Sequence, residues 1–203
     1  LACRVYRTEE GLAGLPPERC PRCALPSPRN GVCGRCLANP PGFDATVAAL
    51  AYAFPASALV KALKFESQFA LAGLLAQRLA EAIEASESVD VMVPVPLHAR
   101  RLAARGYNQS VEIARALADR IGTPLALSGC ERLRDTPSQT ELPLDARQRN
   151  MHAAFACSLP LSGRRVALVD DVMTTGATLD SLAHAVKRAG AERVVNWVVA
   201  RAL

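Results

Sequence analysis

The chain has 203 residues, half of them hydrophobic, so it can bury the core of one domain with a small appendage or of two small domains. Its formal net charge is +5, and the basic residues are almost all arginines, whose planar fork suits phosphate ligands. No apolar run approaches the roughly 20 residues of a membrane span, and the amino end shows no charged leader before an apolar core, so we expect a cytoplasmic protein without a membrane span.

Four cysteines near the amino end have the spacing of a metal site, two Cys-x2-Cys pairs separated by nine residues. Each pair can present two thiolates to one ion across a tight turn, and Pro, Asn and Gly lie between the pairs. Four protein thiolates leave no open coordination position, so we expect structural zinc, with an iron–sulfur centre as the alternative. The expected ligands are Cys20, Cys23, Cys33 and Cys36.

Binding of one Zn²⁺ by four thiolates lowers the net charge by two, to about +3, so a large nucleic-acid-binding patch is permitted but not required. Cys3 is either half of a further pair whose partner precedes Leu1, which would complete a second metal site, or a small buried residue. Cys130 and Cys157 stand alone in apolar or strand-like surroundings, and we expect them to pack in the core.

Residues 37–43, LANPPGF, contain two prolines and a glycine that stop regular structure. We therefore place a domain boundary here. A cysteine-rich zinc-binding domain would occupy 1–43 and a larger domain 44–203.

In the larger domain, short apolar runs alternate with segments of helical periodicity. Strands rich in Val and Leu on both faces, separated by amphipathic helices, indicate a mainly parallel sheet covered on both sides, and the fold class is α/β. The predicted strands are 46–54, 89–95, 124–128, 153–158, 165–169 and 193–202, and the predicted helices are 57–65, 69–85, 109–121 and 176–189.

A basic loop, 96–110, leaves the carboxyl end of the second strand, where ligands bind in such sheets. Tyr107 could stack on a base or pack beside a helix, Asn108 suits a helix cap, and Lys64 we expect to be a solvated helix residue. The arginines of this loop suit a pyrophosphate, or else form a solvated basic turn; they are Arg100, Arg101 and Arg105.

Two adjacent carboxylates, Asp170 and Asp171, follow the apolar strand 165–169. We expect their backbones to have left the strand ladder, so that both side chains converge on one ligand. Two carboxylates can accept hydrogen bonds from a vicinal diol, as on a ribose, or hold Mg²⁺ through water. The alternative is a simple helix cap, which does not explain two acids.

The residues after the acids offer backbone N–H groups, hydroxyls and a glycine at the start of a helix, which together suit a monophosphate. No Walker-type loop and no dinucleotide glycine fingerprint occurs in the sequence. The expected phosphate-binding residues are Thr174, Thr175, Gly176, Ala177 and Thr178.

The stretch VALVDDVMTTGAT resembles the phosphoribosyl pyrophosphate (PRPP) binding motif of type I phosphoribosyltransferases. Four segments follow one another along nearly the whole chain: a cysteine-rich amino end, VPVPLHARRLAARGYNQS, TPSQTELPLDARQRNMHAAF and this motif. Their order resembles that of the ComF family, the competence protein F and GntX-like proteins. The resemblance implies a Rossmann-like type I phosphoribosyltransferase fold behind a zinc ribbon.

The resemblance also implies the ligand and its contacts. PRPP would bind with Mg²⁺, with the two acids at the ribose hydroxyls, 174–178 at the 5-phosphate and the three arginines of the basic loop at the pyrophosphate. Segment 134–150 would be the loop that closes on the ligand, with candidate residues Gln139, Thr140, Arg147 and Asn150.

For function, the resemblance implies DNA uptake during natural transformation, with single-stranded DNA and DNA-uptake proteins as partners. Two hypotheses follow. The protein is a phosphoribosyltransferase with an unidentified acceptor, or it is a non-catalytic module that binds single-stranded DNA or a partner and takes PRPP or a nucleotide only as a regulatory ligand. The sequence assigns no catalytic residue and leaves enzymatic activity open.

Overall fold

The computed structural model describes residues 12–134 and 154–203. Cys3 lies outside these residues, and so do the four candidates for a closing loop, Gln139, Thr140, Arg147 and Asn150.

The described residues contain six strands and six helices, preceded by a short 3-10 turn at Pro28–Asn30. The strands are β1 Ala45–Ala51, β2 Val91–Pro94, β3 Cys130–Arg132, β4 Phe155–Cys157, β5 Arg165–Met173 and β6 Arg193–Arg201. The helices are α1 Gly34–Ala38, α2 Ala56–Phe65, α3 Ala70–Ile83, α4 Ala99–Arg105, α5 Gln109–Ile121 and α6, which is Ala177–Arg188. None of these helices is long and apolar enough to cross a membrane.

Four strands form a parallel sheet in the order β1-β6-β5-β2, which confirms the predicted α/β class. Side chains of β5 alternate between two apolar clusters. Val166 and Leu168 pack with α6 and the cysteine-rich segment, whereas Ala167 and Val169 pack with α2, α3 and α5. Both faces are therefore covered, which is why the central strands are apolar on both sides.

The strand β5 is longer than predicted. It runs through Asp170 and Asp171 to Met173, with Asp170 opposite Val198 of β6. The prediction that the acids have left the ladder is therefore wrong, because β6 continues beside them. Only β2 stops earlier, opposite Val169, so that beyond this point β5 keeps one neighbouring strand.

Two other predicted elements differ. In the predicted strand 124–128, only Leu125 forms a bridge, to Met92. Pro124 has no backbone N–H, and the contact is made by its carbonyl, which accepts from the Met92 N–H. The basic loop 96–110 contains the helix α4, which ends at Gly106 with a left-handed φ of 82°.

A separate antiparallel pair, β3 and β4, places Cys130 opposite Cys157. Backbone hydrogen bonds join the flanking residue pairs, from Leu133 to Ala154 and from Ser158 to Gly129, so the two cysteines form a non-hydrogen-bonded pair, in which side chains lie closest. Their sulfur atoms are 2.8 Å apart. Both cysteines pack against the core, as expected, but they also face each other.

Candidate functional site

The acid pair is buried at the carboxyl end of β5, with 8% of Asp170 and 3% of Asp171 exposed. One oxygen of Asp170 accepts hydrogen bonds from the Ser110 hydroxyl at 2.8 Å and from the Asp171 N–H at 2.9 Å. Burial, together with repulsion from Asp171, raises the pKa of Asp170 to about 8, although these hydrogen bonds oppose the shift. Asp170 is thus a buried carboxyl that is largely protonated at neutral pH.

Asp171 has a cationic partner that the sequence analysis assigned to solvent. The Lys64 ammonium lies 3.2 Å from Oδ2 of Asp171, so the expectation of a solvated lysine is wrong. This oxygen receives no well-directed hydrogen bond from the described residues, while Oδ1 accepts one from the Val172 N–H at 2.9 Å. Lys64 therefore balances the charge of Asp171 and leaves hydrogen-bonding capacity on its carboxylate.

The loop between β5 and α6 follows directly after the acids. Gly176 caps α6 with a left-handed φ of 84°, which strains any other residue, and a Cβ atom there would require the end of the Met173 side chain, 2.7 Å away, to shift. Thr174 and Thr175 are exposed, and the Thr175 hydroxyl accepts a hydrogen bond from the Ala177 N–H at 3.3 Å. A small cavity of about 30 Å³ is lined by Asp170 and residues 172–179. Asp170 and the loop thus share one cavity, and Asp171 does not line it.

The four cysteines converge as expected. All their sulfur atoms lie within 4.8 Å of one another, and those of Cys23 and Cys33 are 3.6 Å apart. Thiolates 2.3 Å from a tetrahedral Zn²⁺ would be ~3.8 Å apart, so the donor set fits one ion. Burial opposes the ionisation of Cys20, but backbone N–H groups that include those of Cys33 and Cys23 lower its pKa to about 7. Burial raises the pKa of Cys36.

The segment that carries these cysteines packs directly on the loop at 174–178. Arg35 donates a hydrogen bond to the Thr175 carbonyl at 2.7 Å. Arg201, only 1% exposed, donates to the carbonyls of Cys23 at 2.7 Å and Met173 at 2.8 Å. Sequence reasoning missed both arginines. The one available signal was a charged residue, Arg201, directly after the apolar run Trp197–Ala200 of β6.

The three predicted pyrophosphate residues lie on α4. Arg105 donates to the Gln109 side chain at 2.6 Å, and its guanidinium carbon is 5.5 Å from the centre of the Phe65 ring. Arg101 and Arg105 line a cleft of about 310 Å³, but Arg100 does not. The other lining residues of this cleft are Lys64, Phe65, Ser67, Ala104 and Tyr107. Lys64 thus lies both in this basic cleft and beside the acid pair.

Tyr107 and Asn108 hold the framework of the site. The Tyr107 hydroxyl donates to the Leu63 carbonyl, and its ring packs edge to face on Phe69 with centroids 4.7 Å apart, which favours the packing role. Asn108 caps α5, as predicted, by accepting from the Ser110 N–H at 3.0 Å. This cap places Ser110 against the acid pair.

A larger cavity, about 530 Å³, lies at the opposite end of the sheet. Its lining includes residues from the carboxyl ends of α3 and α5 and Val89, just before β2 begins. None of the predicted site residues lines it. In parallel sheets, ligands bind beyond the carboxyl ends of the strands, so we assign the functional site to the end that carries the acids.

Comparison with known proteins identifies the family. A family model for the phosphoribosyl transferase domain matches residues 65–202. The chain is 37% identical to the DNA utilization protein YhgH of Salmonella typhimurium over 191 residues, which are 91% of this chain and 84% of that protein. It is 33% identical to competence protein F of Haemophilus influenzae over 179 residues, which are 84% of this chain and 78% of that protein.

Two similar solved structures are more distant in sequence. One is described as the allosteric regulatory enzyme of purine biosynthesis, with 24% identity and a TM-score of 0.44; the match covers 63% of this chain but 25% of that larger one. Another is adenine phosphoribosyltransferase from Thermoanaerobacter pseudethanolicus, with 16% identity and a TM-score of 0.41 over 66% of this chain and 82% of that one. Because the family model spans most of the chain and the two bacterial relatives span nearly all of it, the chain belongs to the phosphoribosyl transferase domain family and, within it, to the ComF family.

Proposed function

We propose that the protein binds PRPP, with Mg²⁺, at the carboxyl end of β5 and acts in DNA uptake or utilisation. The observation that carries the proposal is the pair of buried acids, Asp170 and Asp171, directly before the small-residue loop that begins α6, with Asp170 and that loop lining one cavity. Family membership supports the ligand, and the names of the Salmonella and Haemophilus relatives support the process.

Each part of the site has a proposed role. The two acids accept hydrogen bonds from the ribose hydroxyls, and 174–178 bind the 5-phosphate through backbone N–H groups, hydroxyls and the positive end of α6. Arg101 and Arg105, with Arg100 at the outer surface of α4, bind the pyrophosphate. Mg²⁺ accompanies the pyrophosphate and would supply positive charge as that group departs.

Lys64 has a role that the sequence did not suggest. By pairing with Asp171, it keeps a second carboxylate charge tolerable next to Asp170 before a ligand arrives. Because Lys64 also lines the basic cleft, it joins the ribose and pyrophosphate parts of the site. If a transfer reaction follows binding, these cations stabilise the negative charge that develops on the leaving pyrophosphate.

Calorimetric titration with PRPP, with and without Mg²⁺, tests the ligand assignment. We expect the change of Asp170→Asn together with Asp171→Asn to weaken binding at least tenfold, about 1.4 kcal/mol. Asp119→Asn, on the exposed surface of α5, is the matched control and should bind as the wild type does. Equal affinities for the double variant and the wild type would refute the ribose assignment. Release of pyrophosphate that requires both PRPP and an acceptor would establish transfer.

We also propose that Cys20, Cys23, Cys33 and Cys36 bind one structural Zn²⁺. Sulfur atoms this close together suit a single tetrahedral ion better than an iron–sulfur cluster, whose cysteines bind different iron atoms. Elemental analysis should find about one zinc per chain, lost with Cys20→Ser. A Cys20→Ser variant that keeps its metal would contradict this ligand set.

A second candidate function, binding of single-stranded DNA, is favoured by a specific observation. Phe65 is 69% exposed and Phe69 49% exposed beside the basic cleft, in a chain with few aromatic residues. Aromatic rings next to cationic side chains are the usual means of stacking bases while holding phosphates.

The test is fluorescence polarisation with an oligothymidine at several salt concentrations. We expect affinity to fall steeply with salt and Phe65→Ala to weaken binding ~5-fold or more, as loss of a base-stacking platform does. Phe54→Ala is the control, because Phe54 is 78% exposed but does not line the cleft. Equal effects of the two alanine variants would count against this surface.

A further inference from the structure

The cysteine-rich segment and the phosphate loop are parts of one packed unit. Cys20 and Cys23 share an apolar cluster with Met173 and Leu179, which flank the loop. The Gly42 N–H donates to the Asp180 carboxylate in the first turn of α6 at 2.7 Å. Residues that precede the sheet in the chain are therefore in direct contact with the start of α6.

Arg35 reaches furthest from this segment toward the loop. It lies on α1 between Cys33 and Cys36, so a filled metal site would fix the backbone on both sides of it. Its Nη2 atom donates to the Thr175 carbonyl at 2.7 Å and lies 3.9 Å from the position of a Cβ atom built on Gly176. The side chain is exposed, so its head group is open to solvent at the rim of the loop.

The positive charge of Arg35 is not balanced on the side that faces the loop. None of the ion pairs within 12–134 and 154–203 includes Arg35. The amino end of α6 carries a partial positive charge, which disfavours a neighbouring cation. The Arg201 guanidinium also reaches the loop, where it donates to the carbonyls of Met173 and Thr174. Two guanidinium groups and a helix amino end thus converge where one anion would stabilise all three.

The metal centre is an alternative source of negative charge, since four thiolates on Zn²⁺ carry a net charge of −2. The two arginines make different contacts, however. Arg201 donates to the carbonyl of the metal ligand Cys23, whereas the hydrogen bond of Arg35 goes to Thr175 in the loop. A guanidinium has five N–H donors, so Arg35 retains others that an anion in the loop could accept.

We propose that Arg35 is a direct ligand of the phosphate bound at 174–178, so that the cysteine-rich segment completes the phosphate site. This inference rests on the proposed function, because it concerns the 5-phosphate of PRPP. The metal then has a purpose beyond local folding. It holds α1 so that Arg35 lies over the loop.

Calorimetric titration of the zinc-loaded protein with PRPP, ribose 5-phosphate and pyrophosphate tests the proposal. Arg35→Gln should weaken PRPP and ribose 5-phosphate by a similar factor, tenfold or more, and change pyrophosphate affinity less than twofold. Arg35→Lys should lie between, since it keeps the charge but loses the planar fork. Arg29→Gln removes the same charge from an exposed position of the same segment and should bind all three ligands as the wild type does.

The outcomes separate this proposal from the proposed function. If the wild type binds PRPP and Arg35→Gln binds it equally well, the arginine is not a phosphate ligand, although the PRPP site stands. If Arg35→Gln loses zinc, or weakens pyrophosphate as much as ribose 5-phosphate, the arginine supports the metal centre or the fold, and the proposal is overturned. If the wild type binds no PRPP, the proposed function is refuted, and the proposal for Arg35, which rests on it, is refuted with it.

Discussion

Replacing Asp170 by asparagine should stabilise the protein, and by more at higher pH. The ordinary pKa of this carboxyl, 3.8, applies to the unfolded chain, whereas burial and Asp171 raise the folded value to about 8. Between these pH values the unfolded chain binds fewer protons than the folded one, so the free energy of unfolding falls as pH rises. The asparagine variant has the same polar contacts available at this position but no proton to lose.

The magnitude follows from the width of this window. One fully perturbed group changes stability by at most about 1.4 kcal/mol per pH unit, so between pH 5 and 7.5 the wild type loses up to ~3 kcal/mol that Asp170→Asn keeps. Urea unfolding at several pH values gives the difference in stability between variant and wild type. Groups that do not interact with Asp170 titrate alike in both proteins and cancel in this difference.

Asp119→Asn, which makes the same chemical change on the exposed surface of α5, is the control. A pH-independent difference for Asp170→Asn would refute the reasoning, because it would mean that Asp170 ionises alike in the folded and unfolded chains.

Three further outcomes follow from the same contacts. Hydrogen bonds donated by ribose hydroxyls favour the ionised form of Asp170. PRPP binding should therefore release a proton at pH 7, seen as a binding enthalpy that varies with the ionisation enthalpy of the buffer. Arg201→Leu should destabilise the protein by ~3 kcal/mol or more in urea unfolding, because it removes the side-chain donor to the buried Cys23 carbonyl of the metal segment and one of the donors to the Met173 carbonyl of β5; a loss below ~1 kcal/mol would contradict this. Oxidised glutathione should link Cys130 to Cys157 by thiol–disulfide exchange, which releases two reduced glutathione molecules and lowers the protein mass by about 2 Da. Peptide mapping should find this link in the wild type and not in Cys157→Ser, and free thiols at both positions after oxidation would contradict it.

Much of the fold could be predicted from the sequence because its signals are local. Apolar runs such as β6 and the helical periodicity of α3 depend only on neighbouring residues, and Asn108 and Gly176 act on the backbone next to them. The predicted strand before α6 ended too early for a related reason. The two charged residues predict that the strand ends before them, whereas partner strand β6 and the apolar Met173 extend the pairing beyond the acids.

The contacts that the sequence could not predict are those between distant residues. Lys64 meets Asp171 because α2 ends near the carboxyl end of β5, and Arg35 meets Thr175 across 140 positions of the chain. For a lysine on a short helix and an arginine between cysteines, no local sequence pattern predicts which residue each will contact. Such pairs depend on how the elements pack, and they complete the charge balance of the candidate site.

The site is built at a cost to stability, and this cost fits a ligand-binding role better than a structural one. A buried carboxyl beside a second carboxyl destabilises the folded chain at neutral pH, and Ser110 and Lys64 offset only part of that repulsion. Core positions elsewhere in β5 are all apolar, and apolar side chains would be more stable here too. The acids are therefore best explained by a polar ligand that both of them contact, and the arginines on the far side of the loop by the anionic end of that ligand.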